Sequence, residues 1–411
     1  GFPSREIQTD ITMPEKDLSN WCFDNAFKNV SRAMYAIQTH PLIPRSRIWF
    51  LQFFVQSIIG VSITISFFIS IFLYDIKSES YMDAIKNFSM VLICISSNMK
   101  YFTMIYYRES IADLMRTIDR DFKQAEGLVQ EEKNIILSYI NKANVVSKIW
   151  LYITASTSSI FPVKAFYLMS YYYFKGEGQL VPMYEMTFPG FIEQRKSDLL
   201  PFIAIFSVFV TFDCFAGLIF ACFEPLIPLF TLHACGQLEL LSLKIGKVIS
   251  ESENENEMKE KFKMINVKLQ ELYRYIDRVQ NNFMLLMEFN LKSTTVSLPS
   301  VAFFLVEEFR SGTINMEFLC LAQASFIHFL VPCYYCDLLM ECSEILRQAI
   351  YLCGWENCPH ISIRKTVLIM LTRTTKPLQI STVFYPINLN TFSSMCRQGY
   401  ALFNLMTAAW T

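Results

Sequence analysis

Ile48 to Tyr74 is a run of 27 residues without one charged side chain. As a helix it covers more than the roughly 30 Å of a bilayer's hydrocarbon core, with length left for tilt. No other feature limits the fold so strongly. The rest of the chain must be arranged around a segment that crosses a membrane.

Six further stretches repeat the pattern. They are Phe88 to Tyr107 with Lys100, Ile149 to Phe174 with Lys164, and Leu199 to Phe230 with Asp213 and Glu224. Next come Phe283 to Val306 with Glu288 and Lys292, Met316 to Met340 with Glu317 and Asp337, and Thr391 to Trp410 with Arg397. The chain is 53% hydrophobic and 18% charged, whereas a soluble domain has roughly 45–50% and about 25%. The expectation is an all-α protein with seven transmembrane helices.

Lys and Arg in the connections set the orientation. With the N-terminus inside, segments 1–47, 108–148, 233–280 and 341–384 hold 26 cations, and the outer segments 75–87, 175–198 and 307–315 hold 6. That bias predicts N-in and, with seven spans, C-out. Asn87-Phe88-Ser89 is a glycosylation sequon on the outer side, close to the membrane. None of the 12 Cys falls in an outer loop, so no structural disulfide is expected. Cys333-Tyr-Tyr-Cys336 has redox-motif spacing, but inside a span it reads as packing.

The chain begins Gly1-Phe-Pro-Ser-Arg5, and these residues are set aside as a scar. No N-terminal signal peptide is visible. The net charge is −1, the four His are scattered, and no Gly-rich phosphate loop occurs. An enzyme, a metal site, a cofactor and a nucleic-acid partner are therefore not expected.

Four regions are expected. Residues 1–47 form a cytoplasmic N-terminal segment. Within it Trp21, Phe23, Phe27, Val30, Met34 and Ile37 recur at helical spacing, as in a helix lying on the inner membrane surface. Residues 48–340 carry spans one to six. Ile111 to Phe122 and Ile135 to Val146 read as continuations of spans two and three. Leu238 to Ile249 and Phe262 to Val279 flank an acidic tract, Glu251 to Glu257, which reads as a mobile loop tip. Residues 341–384 form a cytoplasmic anchor with an apolar helix at Ile361 to Leu371, and residues 385–411 form the last span. The inner face thus carries a helical body.

Charges inside the spans are functional candidates, each with a structural alternative. Glu288 and Lys292, four apart, can pair on one helix face. Lys100 and Asp337 lie near inner ends and can snorkel. Asp213 is a pocket group or a helix–helix contact. Glu224-Pro225 and Pro228 mark a break where span four enters the inner body. Phe202, Phe206 and Phe209 form a stripe that suits either a core or a ligand cage. The last span carries Ser393, Ser394, Gln398, Gly399 and Thr407, more polar content than lipid favours, and reads as a helix that lines water.

Four local signatures then carry a resemblance. They are Lys100-Tyr-Phe through Arg108-Glu-Ser-Ile-Ala-Asp-Leu-Met to Asp121-Phe122, and Val181-Pro182-Met183 through Phe188-Pro189. Tyr351-Leu-Cys-Gly-Trp355 and Arg397-Gln-Gly-Tyr-Ala-Leu-Phe403 follow. In this order, and with this topology, the chain resembles the insect odorant receptors over nearly its whole length. The resemblance implies an odorant-gated, non-selective cation channel in the plasma membrane of a sensory neuron dendrite. Four subunits surround one pore, each giving its last helix, and the tuning receptor assembles with co-receptor subunits. The modest connection 233–280 favours the tuning subunit over the co-receptor. A small volatile ligand would sit among spans two, three, four and six.

On that basis Cys94, Ser158, Phe206 and Phe209 are the candidate ligand contacts. Ser394, Gln398, Leu405 and Ala409 form the candidate pore stripe, with Leu402 or Ala401 between, and Leu405 is the candidate gate. Arg397 lies beside the stripe, paired with a neighbouring helix or the inner interface. Trp355, Val367 and Leu371 are the candidate subunit contacts. Two other seven-helix chemoreceptors compete. A G-protein-coupled receptor would reverse the cation bias, and its Asp-Arg-Tyr motif is only mimicked by Asp119-Arg120-Asp121. A gustatory receptor shares the topology but ends in a Thr-Tyr and Gln-Phe pattern missing here. A transporter would show internal repeats, and none is found.

Overall fold

The computed structural model describes residues 21–410, so the scar assigned to residues 1–5 lies outside them. Among the described residues every extended element is helical. Two short helices, α1 (Phe23–Ala26) and α2 (Lys28–Ala36), precede α3 (Arg47–Ile69), which runs on as a π-helical turn, Ser70–Asp75. Ser46 starts α3 by accepting the Trp49 N–H at 3.2 Å. Then come α4 (Tyr81–Tyr106), α5 (Arg108–Ala125), the long α6 (Gln130–Phe174), the short outer α7 (Gly190–Arg195), α8 (Leu199–Phe223) and α9 (Leu226–Val248). The chain finishes with α10 (Glu255–Arg310), α11 (Met316–Tyr351), a 3-10 turn at Trp355–Asn357, α12 (Ile361–Arg373) and α13 (Leu389–Trp410).

The seven expected spans fall on α3, α4, α6, α8, α10, α11 and α13. Four of the helical runs, containing α3, α4, α8 and α11, are long and apolar enough to cross a membrane by length and composition alone. α6, α10 and α13 carry more polar residues, which suits helices whose polar groups face protein or water. The break at Glu224-Pro225 occurs as expected, because proline cannot continue the backbone ladder of α8. Pro228 instead sits in the first turn of α9, where its missing N–H costs nothing.

The apolar side chains form two cores. With inner and outer named after the orientation that the cation bias predicts, the larger lies in the inner body, where α1, α2, α5, α9, α12 and the inner ends of α6, α10 and α11 meet. The smaller lies at the outer end, beneath the second outer loop. Phe23, Phe27, Val30, Met34 and Ile37 are all buried in the larger core. The expected membrane-surface helix is therefore packed against protein, with its apolar stripe facing α8 and the inner body. Arg108 holds the turn that follows by donating to the carbonyls of Pro41 and Ile43.

Two other expectations change. Span two does not continue unbroken, because the chain bends at Tyr107 before α5 starts. The acidic tract is half helix: Asn254 accepts the Glu257 N–H at 2.9 Å, while Glu257 accepts the Glu253 N–H at 2.9 Å. This reciprocal cap starts α10, and its acidic residues suit a helix N-terminus. Asp119-Arg120-Asp121 is glue for the inner body. Asp119 accepts the Phe23 N–H at 2.6 Å, Arg120 pairs with Glu271 at 3.1 Å, and buried Asp121 meets His233 at 3.0 Å and Lys268. Burial alone would raise the Asp121 carboxyl, but His233 and Lys268 outweigh it and hold it below the usual carboxylate range.

Candidate functional site: a ligand cavity between the spans

α6 runs outward and α8 runs inward beside it, and they touch closely at one point. A Cβ built on Gly217 of α8 would lie 2.3 Å from Ser158 Oγ of α6, so a side chain there would displace that hydroxyl, and glycine lets the two helices lie close. The hydroxyls on this face of α6 donate to their own helix. Thr154 donates to the Trp150 carbonyl at 2.8 Å, Thr157 to that of Ile153 at 2.9 Å, and Ser158 to that of Thr154 at 2.6 Å. In an apolar span these bonds satisfy the protons and leave lone pairs for a neighbour.

A cavity of about 130 Å³ opens beside this contact. Trp150, Thr154, Thr157, Ser158 and Phe161 line it from α6, and Asp213, Gly217 and Phe220 from α8. α4 adds Met90, Ile93 and Ser96, α11 adds Leu321, Ala324, Ser325 and His328, and α10 adds Ser293, Thr294 and Ser297. Span five thus joins the four expected spans. The walls are mostly apolar with a few polar groups, the usual character of a small-molecule site.

The second outer loop closes the outer end. Met183, Tyr184 and Met186 are buried in the outer core. The Tyr184 hydroxyl donates to Asp213 Oδ1 at 2.7 Å, and its ring lies 5.2 Å from that of Phe209 and 5.0 Å from that of Phe161. The loop is tied elsewhere too. Lys86 of α4 pairs with Glu185 at 2.7 Å, and Ser70 accepts the Thr187 N–H at 3.0 Å. The Lys86 ammonium holds the Glu185 carboxyl below its ordinary range. Between the loop and α8 lies a second cavity of about 310 Å³, lined by Leu180 and by Pro182 to Phe188 of the loop and by Phe202, Phe206 and Phe209 of α8. Tyr184 borders both cavities.

At the inner end the floor is ionic. Lys100 is wholly buried, 3.1 Å from Glu224 and with its ammonium 4.0 Å from the centre of the Phe220 ring. Lys100 also donates to Ser96, which lines the cavity. His328 Nδ1 lies 2.9 Å from the other Glu224 oxygen. These contacts with Glu224 rest on charge and proximity rather than on aligned hydrogen bonds. Lys100 therefore does not snorkel. Near Asp337, the Leu389 N–H lies 3.4 Å from Oδ1, so that side chain meets the start of α13. Glu288 and Lys292 pair with each other at 2.6 Å, as their spacing allows.

The four candidate ligand residues do not share one cavity. Ser158 lines the inner one, and Phe206 and Phe209 line the outer one. Cys94 lines neither and is buried in the outer core. Asp213 takes the first of the two roles its position allowed, a cavity group, and its partner is a loop residue rather than a neighbouring helix. Trp150, Thr154, Tyr184 and His328 were not singled out. The spacing of Trp150, Thr154, Ser158 and Phe161 puts them on one helical face, and that periodicity was the available signal. Nothing local marks Tyr184 or His328.

α13 packs against α10, where Gly399 faces Pro299 and Thr295, and against α11, where the Phe392 ring meets Phe326 edge-on and Phe329 at a tilt. Ser394 and Gln398 line an open cleft of about 580 Å³ together with Lys292 and Tyr385. Leu405 is 66% exposed, and Gln398, Ala409 and Arg397 are exposed as well. The stripe is thus left uncovered by its own chain. The anchor differs from expectation. Val367 is wholly buried with Ile363 and Met370, and Leu371 and Trp355 pack partly against the same core. Val367 is therefore not available to another subunit. The exposed apolar side of α12 is Ile361, Leu368 and Ile369.

Comparison with known proteins follows the same lines. A family model described as 7tm Odorant receptor matches residues 80–400. Odorant receptor 56a of Drosophila melanogaster is 28% identical over 76 residues, which span 18% of this chain and 18% of that relative. The insect olfactory receptor OR5 from Machilis hrabei is similar in structure, with a TM-score of 0.72 at 16% identity over 92% of this chain and 96% of that one. The same receptor in complex with eugenol gives a TM-score of 0.74 at 14% identity, covering 94% and 99%. This multi-pass helical membrane protein belongs to the insect odorant receptor family, whose members are receptors and not enzymes.

Proposed function

We propose that this chain is the tuning subunit of an odorant-gated, non-selective cation channel, assembled with co-receptor subunits as a hetero-tetramer in the plasma membrane of a sensory dendrite. The observation that carries the reading is the cavity of about 130 Å³ lined by five spans and by Tyr184 of the second outer loop. It has the size and lining for one small, largely apolar molecule. Ser158 contacts that ligand directly. Phe209 acts by holding Tyr184 in place, and Phe206 lines the outer cavity as an approach. The pore is lined by the α13 stripe, with Leu405 at the constriction. The N-terminus lies inside and the C-terminus outside.

The test is a panel of volatiles applied to cells expressing this chain with a co-receptor, with current recorded while G-protein signalling is blocked. Ligand-evoked current under that block is the expected result, and its loss overturns the channel reading. A tag after Thr411 should label on intact cells and an N-terminal tag should not.

A further inference from the structure

On its α6 and α8 walls the inner cavity is lopsided in its hydrogen-bonding chemistry. Asp213 accepts the Tyr184 hydroxyl through Oδ1, while Oδ2 is buried and has no partner among the described residues. A buried carboxylate oxygen left unpaired is costly, and a ligand that donates to it recovers that cost. The neighbouring hydroxyls reinforce the bias, since Thr154, Thr157 and Ser158 have already given their protons to their own backbone. What they offer the cavity is lone pairs. Trp150 Nε1, in the inner part of α6 beside His328, is a buried N–H donor that lines the cavity without a partner among the described residues. It is placed to meet an oxygen lone pair of the ligand.

We infer that the cavity selects small hydroxyl-bearing molecules, alcohols or phenols, over their donor-free analogues, and that Asp213 Oδ2 is the atom that reads the hydroxyl. This rests on the cavity being the ligand site. A methyl ether keeps the size and the oxygen but brings no proton, so it leaves Oδ2 unpaired. A site built to bond a hydroxyl rejects the analogue lacking it far more strongly than an apolar pocket rejects a change of size.

The experiment uses the full chain with its co-receptor, and straight-chain and aromatic alcohols each paired with its own methyl ether. The alcohol should be more potent than its ether by roughly tenfold or more. Asp213→Asn can still accept from Tyr184 through its amide oxygen, and then turns an N–H toward the ligand. In that variant alcohol and ether both offer an oxygen to the N–H, so the preference for the alcohol should be lost. Loss of packing alone would lower both potencies together. Ala324→Phe, which fills the cavity from α11, separates the two readings. If it abolishes responses but Asp213→Asn leaves the alcohol-to-ether ratio unchanged, the Asp213 assignment is overturned and the cavity stands. If Ala324→Phe reaches the surface and leaves every potency unchanged, the cavity reading falls and this inference with it. A wild-type receptor that answers ethers as well as alcohols, or no hydroxyl compound at all, overturns the assignment without any variant.

Discussion

Lys100 of α4 and Glu224 at the end of α8 form an ion pair at 3.1 Å, and both side chains are buried. Glu224 stands where α8 breaks before Pro225, between the inner cavity and the inner body. The pair therefore joins two spans at the level where outer and inner cores meet. Removing one partner leaves a buried charge uncompensated, which costs about 3–5 kcal/mol. Lys100→Met is expected to lower surface expression and the melting temperature of purified receptor sharply. Lys100→Met with Glu224→Gln should recover most of the loss, because neutralising both partners is far less costly than orphaning one. A single variant that melts like wild type would show that His328 suffices for Glu224.

The sequon at Asn87 is closed in the folded chain. α4 begins at Tyr81, several residues before the expected start of span two, so Asn87 lies inside a helix. Its Nδ2 donates to Asp75 Oδ2 at 2.7 Å and the side chain is 3% exposed. Mature receptor should show no glycan at this position, read as unchanged gel mobility after endoglycosidase treatment. A shift that mass spectrometry maps to Asn87 would mean that this end of α4 is open when the sugar is added.

Phe209 and Phe206 should separate. Phe209 is 6% exposed and packs on Tyr184, Phe67 and Phe188, whereas Phe206 is half-buried against Phe166 and Phe202. Phe209→Ala removes a ring from a packed core, at a cost of about 3–5 kcal/mol, and loosens the loop that caps the cavity. Both potency and stability should fall. Phe206→Ala should change potency with little loss of stability, and Cys94→Ala should leave ligand ranking alone. Dose–response curves beside melting temperatures check this. Equal stability losses at both Phe positions would contradict it.

The assembly prediction moves from one side of α12 to the other. Val367→Asp places a charge in a sealed core and should abolish folding of the subunit. Ile369→Glu changes a side chain that is 70% exposed, so the subunit should fold but co-purify poorly with the co-receptor. Normal co-purification of Ile369→Glu and Leu368→Glu would mean that this apolar side faces lipid or solvent.

How much of this was legible follows from which signals are local. The spans were legible as charge-free lengths, and the α8 break as Glu224-Pro225. The pairing of Glu288 with Lys292 followed from helical spacing. The bend at Tyr107 has neither proline nor glycine to announce it. Lys100 read as a snorkelling end because its partners, Glu224 and Phe220, lie far along the chain. Likewise α2 has the stripe of an interfacial helix, and only the tertiary fold supplies the protein surface that covers it. Tyr184 belongs to the cavity because the loop folds inward, which no pattern in residues 175–198 foretells.

The last prediction concerns the gate. Gly399 fixes α13 against Pro299 of α10, where an added Cβ would come within 3.2 Å, so the rotation of the helix is constrained at that point. Met395 and Gly399 then face the chain's own core, while Gln398 and Leu405 face away from it. Four such helices around one axis would bring polar Ser394 and Gln398 to the inner part of a pore and Leu405 to the outer part. A ring of leucines can close such a path by expelling water, with no physical plug. Arg397 lies beside this stripe, and a ring of arginines in the path would oppose cations. Leu405→Ser should wet the constriction and raise ligand-free current in cells with normal surface expression. A cysteine scan from Ser394 to Ala409 should show thiol reagents blocking current at Ser394, Gln398 and Leu405 and sparing Met395 and Gly399. Modification all round the helix, or only on the Arg397 side, would reject the stripe. An unchanged basal current in Leu405→Ser, with the equivalent change also made in the co-receptor subunits, would remove Leu405 as the gate.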